Sequence, residues 1–323
     1  MKILVTGATG FLGKRTCEFL SKQGHKVIGV GRNVSKAPAD VVFIQADLTA
    51  PLPEMAWQGV EAAVHCAAKS SVWGKYEEFY RNNVLAARLL AEQACAHKIK
   101  RFVHISSTSV YFDFKDRRGI TEETSLPVNK ANSYAQTKYL AEQEVLRMFR
   151  QGLPAVILRP RAIFGPGDTA LLPRLLRVNN TRFFPEFKSD DGPLTDITHV
   201  DNVVQAICCA LQAPEICNGQ IYNITNGEPI LLKATVRKLV QALGYTYHGK
   251  RLPFDLVKAY AYLSENFYKM FLPHREPPFT VYSVGLVAKD QTFCIDKARN
   301  ELGYQPKISV QEGISDVINH WKY

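Results

Sequence analysis

The chain has no stretch approaching the roughly 18 uninterrupted apolar residues of a bilayer span, so no membrane-crossing segment is expected. It has no CxxC pair and no HExxH, and its histidines and cysteines never gather at zinc-ligand spacing, so a metal site is not expected either. The seven cysteines (Cys17, Cys66, Cys95, Cys208, Cys209, Cys217, Cys294) are odd in number and scattered, which excludes a disulfide framework. They read as reduced, mostly buried thiols in a cytoplasmic protein. Repeats, low-complexity tracts and long linkers are absent. The start, MKILVTGATGFLG, is interrupted by three glycines and does not read as a secretory leader.

Charge is present but not patterned. Forty Lys and Arg against 30 Asp and Glu give a formal +10, yet the basic residues are spread and carry no nucleic-acid motif. Attraction to the phosphates of a cofactor explains the excess more simply than a nucleic-acid partner does.

With 46% hydrophobic residues in 323, the chain can bury a large core. Apolar runs recur as KILVTG, KVIGV, VVFIQA, AAVHCA, RFVHIS and AVILRP, with helical stretches between them. Strands buried on both faces read as continuous apolar runs, so the expected fold is a doubly wound α/β parallel sheet. Long helices are expected at Phe11 to Lys22, Tyr76 to His97 and Tyr134 to Arg150, and a later one at Val200 to Gln212. After residue 165 the alternation becomes irregular, through GPGD and a polar turn at SDDGP. The expected organisation is a dinucleotide-binding part over 1–165, with late elements from about 195–225, and a smaller substrate-binding part over 166–194 and 226–323.

TGATGFLG lies between the first strand and the first helix. Gly7, Gly10 and Gly13 permit a tight turn, a close approach to a pyrophosphate and close helix packing, and the helix N-terminus offers free N–H groups. Thr9, Phe11 and Leu12 belong to the same cradle. The second strand ends in Arg32, followed by Asn33, Ser35 and Lys36, where an NAD-selective site would carry an acid. NADP(H) is therefore expected over NAD(H). Asp47, in QADLT, either borders the adenine with Leu48 or is a turn residue.

In SYAQTKYLAEQE, Lys138 follows Tyr134 by one helical turn and shares its face. Tyrosine has a pKa near 10, and a neighbouring ammonium would favour its phenolate. Ser107, at the end of the fifth strand, would hydrogen-bond the reacting oxygen, whereas Ser106 reads as a buried strand-end residue.

These pieces together, with HCAAK at His65, NNV at Asn82, LRPRAIFGPGD at Leu158, HVDN at His199 and YNITNGE at Tyr222, resemble the extended short-chain dehydrogenase/reductases over nearly the whole chain. The resemblance implies Tyr134 as proton donor or acceptor, Lys138 as holder of the nicotinamide ribose, and Ser107 or its neighbour Thr108 as the group polarising a carbonyl. It also implies cofactor contacts from Ala67, Ala68, Lys69, Pro160 and Ile163, support of the site by Asn83, and a homodimer. Dehydratases of this group carry an acidic pair where this chain has Thr108 and Ser109, and sugar-nucleotide epimerases carry an arginine where it has Thr195 and a glycine where it has Phe112.

HCAAKSSVWG, LTDITHVDNV and the stretch from Glu276 to Tyr304 are similar to the 3β-hydroxysteroid dehydrogenase/isomerase family, and within it to bacterial 2-alkyl-3-oxoalkanoate reductases. That implies NADP(H)-dependent interconversion of a ketone and a secondary alcohol on a lipophilic molecule. A nucleotide-sugar epimerase and a non-catalytic NADP(H)-binding scaffold or redox sensor are the alternatives. Leu256, Tyr260, Leu263, Phe267 and Phe271 recur at helical spacing, and RFFPEF adds an aromatic run. Core is the leading reading of that stripe, ahead of pocket wall or, with Lys258, Lys269, His274 and Arg275, a membrane-surface contact. Ser70, Trp73, Tyr111 and Phe112 are candidates for the pocket wall, and Lys69 and Arg161 for meeting a substrate carboxylate.

Overall fold

The computed structural model describes every residue except Arg182, Lys188, Ser189, Asp190, Lys322 and Tyr323. The first residue of RFFPEF and part of the SDDGP turn therefore lie outside the described residues.

The apolar runs form the strands they predict: β1 (Lys2–Thr6), β2 (Lys26–Gly31), β3 (Val42–Gln45), β4 (Ala62–His65), β5 (Arg101–Ile105) and β6 (Ala155–Pro160), joined by β7 (Ile221–Ile224). They make one parallel sheet in the order β7-β6-β5-β4-β1-β2-β3. Strand order reverses between β1 and β4, and in such sheets the crevice above that reversal is where ligands bind. The doubly wound α/β class is thus the observed one.

Helices cover both faces. On one, Leu12 and Cys17 of α1 (Phe11–Lys22) pack with Val5, Val103 and Val156 against Val203 and Ile207 of the helix Val200–Gln212. On the other, Leu90 and Ala94 meet Leu4, Phe102, Val145 and Met148. The expected helix from Tyr76 is α2 (Tyr76–Phe79), a π-helical turn over Tyr80–Leu85, and α3 (Ala86–Ala96). The last helix of this half is α4 (Ser133–Phe149), which the Asn132 side chain caps by accepting from Ala135 N at 2.8 Å.

A second, four-stranded sheet orders Ile230–Leu231, Leu194–Thr195, Gln291–Phe293 and Arg117–Ile120. Arg117–Ile120 joins it from within the first 165 residues. The HVDN and NITNG pieces act as fasteners here: Asn202 Nδ2 donates to Asn226 Oδ1 at 2.8 Å and to the Ile308 carbonyl at 2.7 Å, and Asp201 holds Arg15 of α1 at 2.5 Å.

Two expectations need correction. The aromatic stripe on the helix Phe254–Phe271 is not core: Leu256, Leu263 and Phe271 are more than 60% exposed. The helix instead turns Val257 and Ala261 inward, and Glu265 accepts from Val281 N at 2.7 Å. Periodicity marks a stripe; the smaller side chains allowed the closer approach and won the inner face. The thiols, all free, are also less buried than expected, with only Cys17 and Cys217 fully covered and the other five half-buried at helix and strand ends.

Beneath the carboxyl ends of the strands lies a fully buried ion pair. Arg159 of β6 grips Glu142 of α4 through two parallel hydrogen bonds of 2.8 and 2.6 Å, and Tyr111 accepts a third from Arg159 at 2.6 Å. Ser106 donates to the same carboxylate, which confirms it as a structural strand-end residue. Removing one charge strands the other without water, at a cost of about 3–5 kcal/mol. Glu142→Gln is expected to lower unfolding stability by that order in a urea titration; a loss below about 1 kcal/mol would show the pair to be dispensable.

Candidate active site

The glycine turn comes first because its geometry is the most constrained. Gly7 has φ +69, and a Cβ there would sit 2.8 Å from the Ala67 backbone; a Cβ on Gly13 would collide with the Gly7 carbonyl. Gly10 donates to Gly7 O at 2.8 Å and opens α1 with no side chain capping it. Loop and uncapped helix end leave backbone N–H groups free for an anion.

Above this turn lies a cavity of about 620 Å³. Gly7, Gly10, Phe11, Leu12 and Gly13 line one end, with Ala68, Pro160 and Ile163 beside them; Ser107, Thr108, Tyr134 and Lys138 follow. Apolar side chains, among them Leu172, Leu175, Val236, Leu239 and Phe279, make most of the remaining wall. Phe184 and Pro185 of the aromatic run contribute to it as well.

The structure brings the catalytic candidates together. Ser107 and Tyr134 line the same cavity, and Ser107 Oγ accepts from Ser109 N at 3.1 Å. Tyr134 and Lys138 share the inner face of α4, with Glu142 one turn further on. Lys138 Nζ donates to the Ile105 carbonyl at the end of β5.

The electrostatics differ from the sequence expectation. Burial pushes the Tyr134 phenol above its ordinary value, with the Ser107 hydroxyl pulling the other way, and Lys138 is not among the groups that shift it. Burial lowers Lys138 to about 8, against the upward pull of Glu142 and Cys66. Its ammonium is directed at a carbonyl rather than at the phenol. Below it His65 and His104 stack at 5.3 Å, and burial holds both well under their ordinary values, so they are neutral and do not oppose Lys138.

Asn83 lies on the π-helical turn. Its Oδ1 accepts from Lys69 N at 2.7 Å, while Nδ2 donates to Thr137 Oγ1 at 3.0 Å, fastening the loop after β4 to the turn of α4 that carries Tyr134 and Lys138. Inserted π turns re-aim side chains in this way and cluster at functional sites.

Other candidates lie apart from the cavity. Thr9 packs against Gly31, and Ala67 backs Gly7. Arg32 is exposed just beyond β2 and Asp47 just beyond β3; Asp47 accepts from Thr49 N at 3.0 Å, which with the nearby Arg32 and Arg81 charges lowers its pKa. Leu48 packs into the α3 side of the core. The Lys69 ammonium pairs with Glu78 at 2.6 Å, away from the cavity. Of the pocket-wall candidates Ser70 lines the cavity, while Trp73 does not and Tyr111 and Phe112 are buried beneath it. The sequence did not single out Tyr282, Asp196 or Arg174 as cavity residues; the helix Val281–Leu286, the small sheet and the helix Leu171–Thr181 bring them there.

Residues 3–225 match the model of the NAD dependent epimerase/dehydratase family. The chain is 33% identical to the 2-alkyl-3-oxoalkanoate reductase of Stenotrophomonas maltophilia (strain K279a), covering 97% of each protein. It is 31% identical to isoform 1 of the 3beta-hydroxysteroid-dehydrogenase/decarboxylase of Arabidopsis thaliana, over 99% of this chain and 79% of that one. Among solved structures, UDP-glucuronic acid 4-epimerase from Bacillus cereus in complex with NAD shares the fold at a TM-score of 0.75 and 23% identity, covering 99% and 98% of the two chains.

Gly13→Ala tests the cradle. Overpacking backbone against backbone costs about 1–3 kcal/mol, so NADPH affinity measured by fluorescence titration is expected to fall about tenfold or more. Unchanged affinity would place the dinucleotide elsewhere.

Proposed function

Because the chain belongs to the NAD dependent epimerase/dehydratase family, we propose that it is a ketoreductase acting on a lipophilic ketone, with NADP(H) as its preferred cofactor. It is an NAD(P)-dependent oxidoreductase of the extended short-chain dehydrogenase/reductase type, like the relatives named above. The observation that carries the ketoreductase reading is that Ser107, Tyr134 and Lys138 line one apolar cavity together with the glycine cradle.

The cradle, through Gly7, Gly10, Gly13 and the start of α1, would hold the dinucleotide, with Pro160 and Ile163 beside it. When bound, the reduced nicotinamide supplies a hydride for the carbonyl carbon. The protein's own task is to manage the oxygen. Ser107 donates a hydrogen bond to it, and Tyr134 gives it the proton that converts the developing alkoxide to an alcohol. The upward push on Tyr134 keeps the phenol protonated at neutral pH, as a proton donor requires. Giving up that proton leaves Tyr134 as the phenolate from which oxidation would start, and a proton from solvent restores the phenol before the next reduction.

Lys138 binds to the Ile105 carbonyl and stands beside the place where a ribose would extend from the cradle. Arg32 supports the NADP(H) preference, since its exposed guanidinium follows β2, where a 2′-phosphate would be met in this class of sheet. The relatives named above act, by their names, on a 2-alkyl-3-oxoalkanoate and a 3β-hydroxysteroid, which share large apolar parts and an oxygen at the reacting carbon, and the cavity wall suits that class.

Tyr134→Phe is expected to reduce NADPH-dependent turnover of a lipophilic ketone by about 100- to 10,000-fold while NADPH still binds. Undiminished turnover would rule out the proton-donor role. In the wild type, Lys138 is charged below its pKa of about 8 and neutral above it, so kcat/KM for reduction is expected to fall as pH rises through 8. The Tyr134 phenol stays protonated through that range and contributes no fall. A profile level on both sides of pH 8 would show that the Lys138 ammonium is not needed.

A further inference from the structure

We infer that the outer face of the helix Phe254–Phe271 docks on an anionic phospholipid bilayer, with the helix lying in the plane of the headgroups. Nineteen large apolar side chains are exposed among the described residues, and seven of them stand on this one helix, from Leu256 to Phe271. Their exposure runs from 50% at Tyr260 to 74% at Met270. Single exposed apolar side chains are ordinary, whereas a contiguous set marks a contact surface. Leu256, Tyr260, Leu263, Phe267 and Phe271 follow one another at steps of three or four residues, which puts them on one side of the helix over about 22 Å.

That side cannot be the inner one, because the inner one is taken. Val257 and Ala261 are buried in a cluster with Phe279 and Val284, and Glu265 accepts from Val281 N at 2.7 Å. The helix Val281–Leu286 is itself fixed by a capping box, in which Thr280 Oγ1 accepts from Ser283 N at 3.0 Å.

Charge decides what covers the stripe. Lys250, Arg251, Lys258, Lys269 and Arg275 are all exposed, against two acids in the same stretch, Asp255 and the inward-turned Glu265. The whole chain carries +10. A second copy would set these cations against their like, whereas an acidic lipid surface complements them. Among the described residues no helix is long and apolar enough to cross a membrane, so this one, with four charged residues in its length, would lie on the surface. Tyr260 and Tyr262 suit the headgroup level, where an aromatic ring with a polar tip is at home.

The face also stands beside the cavity. Phe279, which packs with Val257 and Ala261, lines it. Tyr268 of the same helix lines a recess of about 190 Å³ that shares Arg174, Val178 and Pro278 with the cavity wall. A lipophilic ligand dissolved in the bilayer would thus have a short way to the site, although the docking itself does not depend on which ketone is reduced.

The test is flotation of the full chain with vesicles of equal parts phosphatidylglycerol and phosphatidylethanolamine, and with vesicles of phosphatidylcholine alone. The wild type is expected to float with the anionic vesicles and to bind phosphatidylcholine about tenfold more weakly or less. Leu263→Glu combined with Phe267→Glu should lower partition onto the anionic vesicles about 100-fold, and Lys269→Glu about tenfold. None of these side chains lines the cavity, so NADPH affinity in solution should stay as in the wild type and show the variants to be folded. Fluorescence of a Phe267→Trp variant should be quenched by brominated acyl chains. Wild type that floats with neither vesicle, flotation unchanged in the double variant, or unquenched Phe267→Trp would each overturn the docking. So would a wild-type dimer in sedimentation velocity that the double variant converts to monomer, which would give the face to a second copy.

Discussion

The arrangement of this site depends on the buried pairing of Arg159 with Glu142. Tyr134, Lys138 and Glu142 follow one another at single-turn spacing on α4, so fixing the last fixes the rotation of the helix that presents the other two. Arg159 belongs to β6, and the carboxylate also takes the Ser106 hydroxyl from the end of β5. One ion pair thus ties together the helix carrying the tyrosine and the strand end carrying the serine. Charge burial is an expensive way to hold elements together. What it adds over hydrophobic contact is directionality: a two-pronged hydrogen bond permits one rotation and one depth, whereas leucine against alanine tolerates several.

Much of the fold was legible because both-face burial leaves a plain trace. Six strands were visible as apolar runs, and the glycine cradle as three glycines between a strand and a helix. Less legible was anything that depends on which face is covered. The Phe254–Phe271 helix carries large apolar residues on one stripe and small ones on another, and periodicity finds both without ranking them. The π-helical turn at Tyr80–Leu85 has no sequence signature, yet it lets Asn83 reach Lys69 and Thr137 together.

The site was legible to the extent that it is local. Tyr134 and Lys138 are four residues apart, and Ser107 ends a strand that announces itself. Arg161 was visible as a candidate for a substrate carboxylate alongside Lys69, with nothing in the sequence to choose between them. What separates them is the assembled fold: Glu78 captures Lys69, while Asp196 gives an oxygen to Phe293 N, 97 positions away from it. Absence of an ion pair is a property of the assembled fold and cannot be spelled locally.

The groups lining the cavity divide by what burial can do to them. Tyr134 is pushed up and Lys138 down, each toward its uncharged form, and the histidines beneath are held neutral. Titratable groups escape the low dielectric by exchanging a proton with water. Arg161 has no such escape, because even when burial lowers its pKa the guanidinium remains charged at any ordinary pH. The cavity therefore presents a fixed positive charge amid groups whose own charges are adjustable. Asp196, in the same cavity wall, is pushed by burial to about 6, so at neutral pH it supplies a counter-charge that the guanidinium cannot do without.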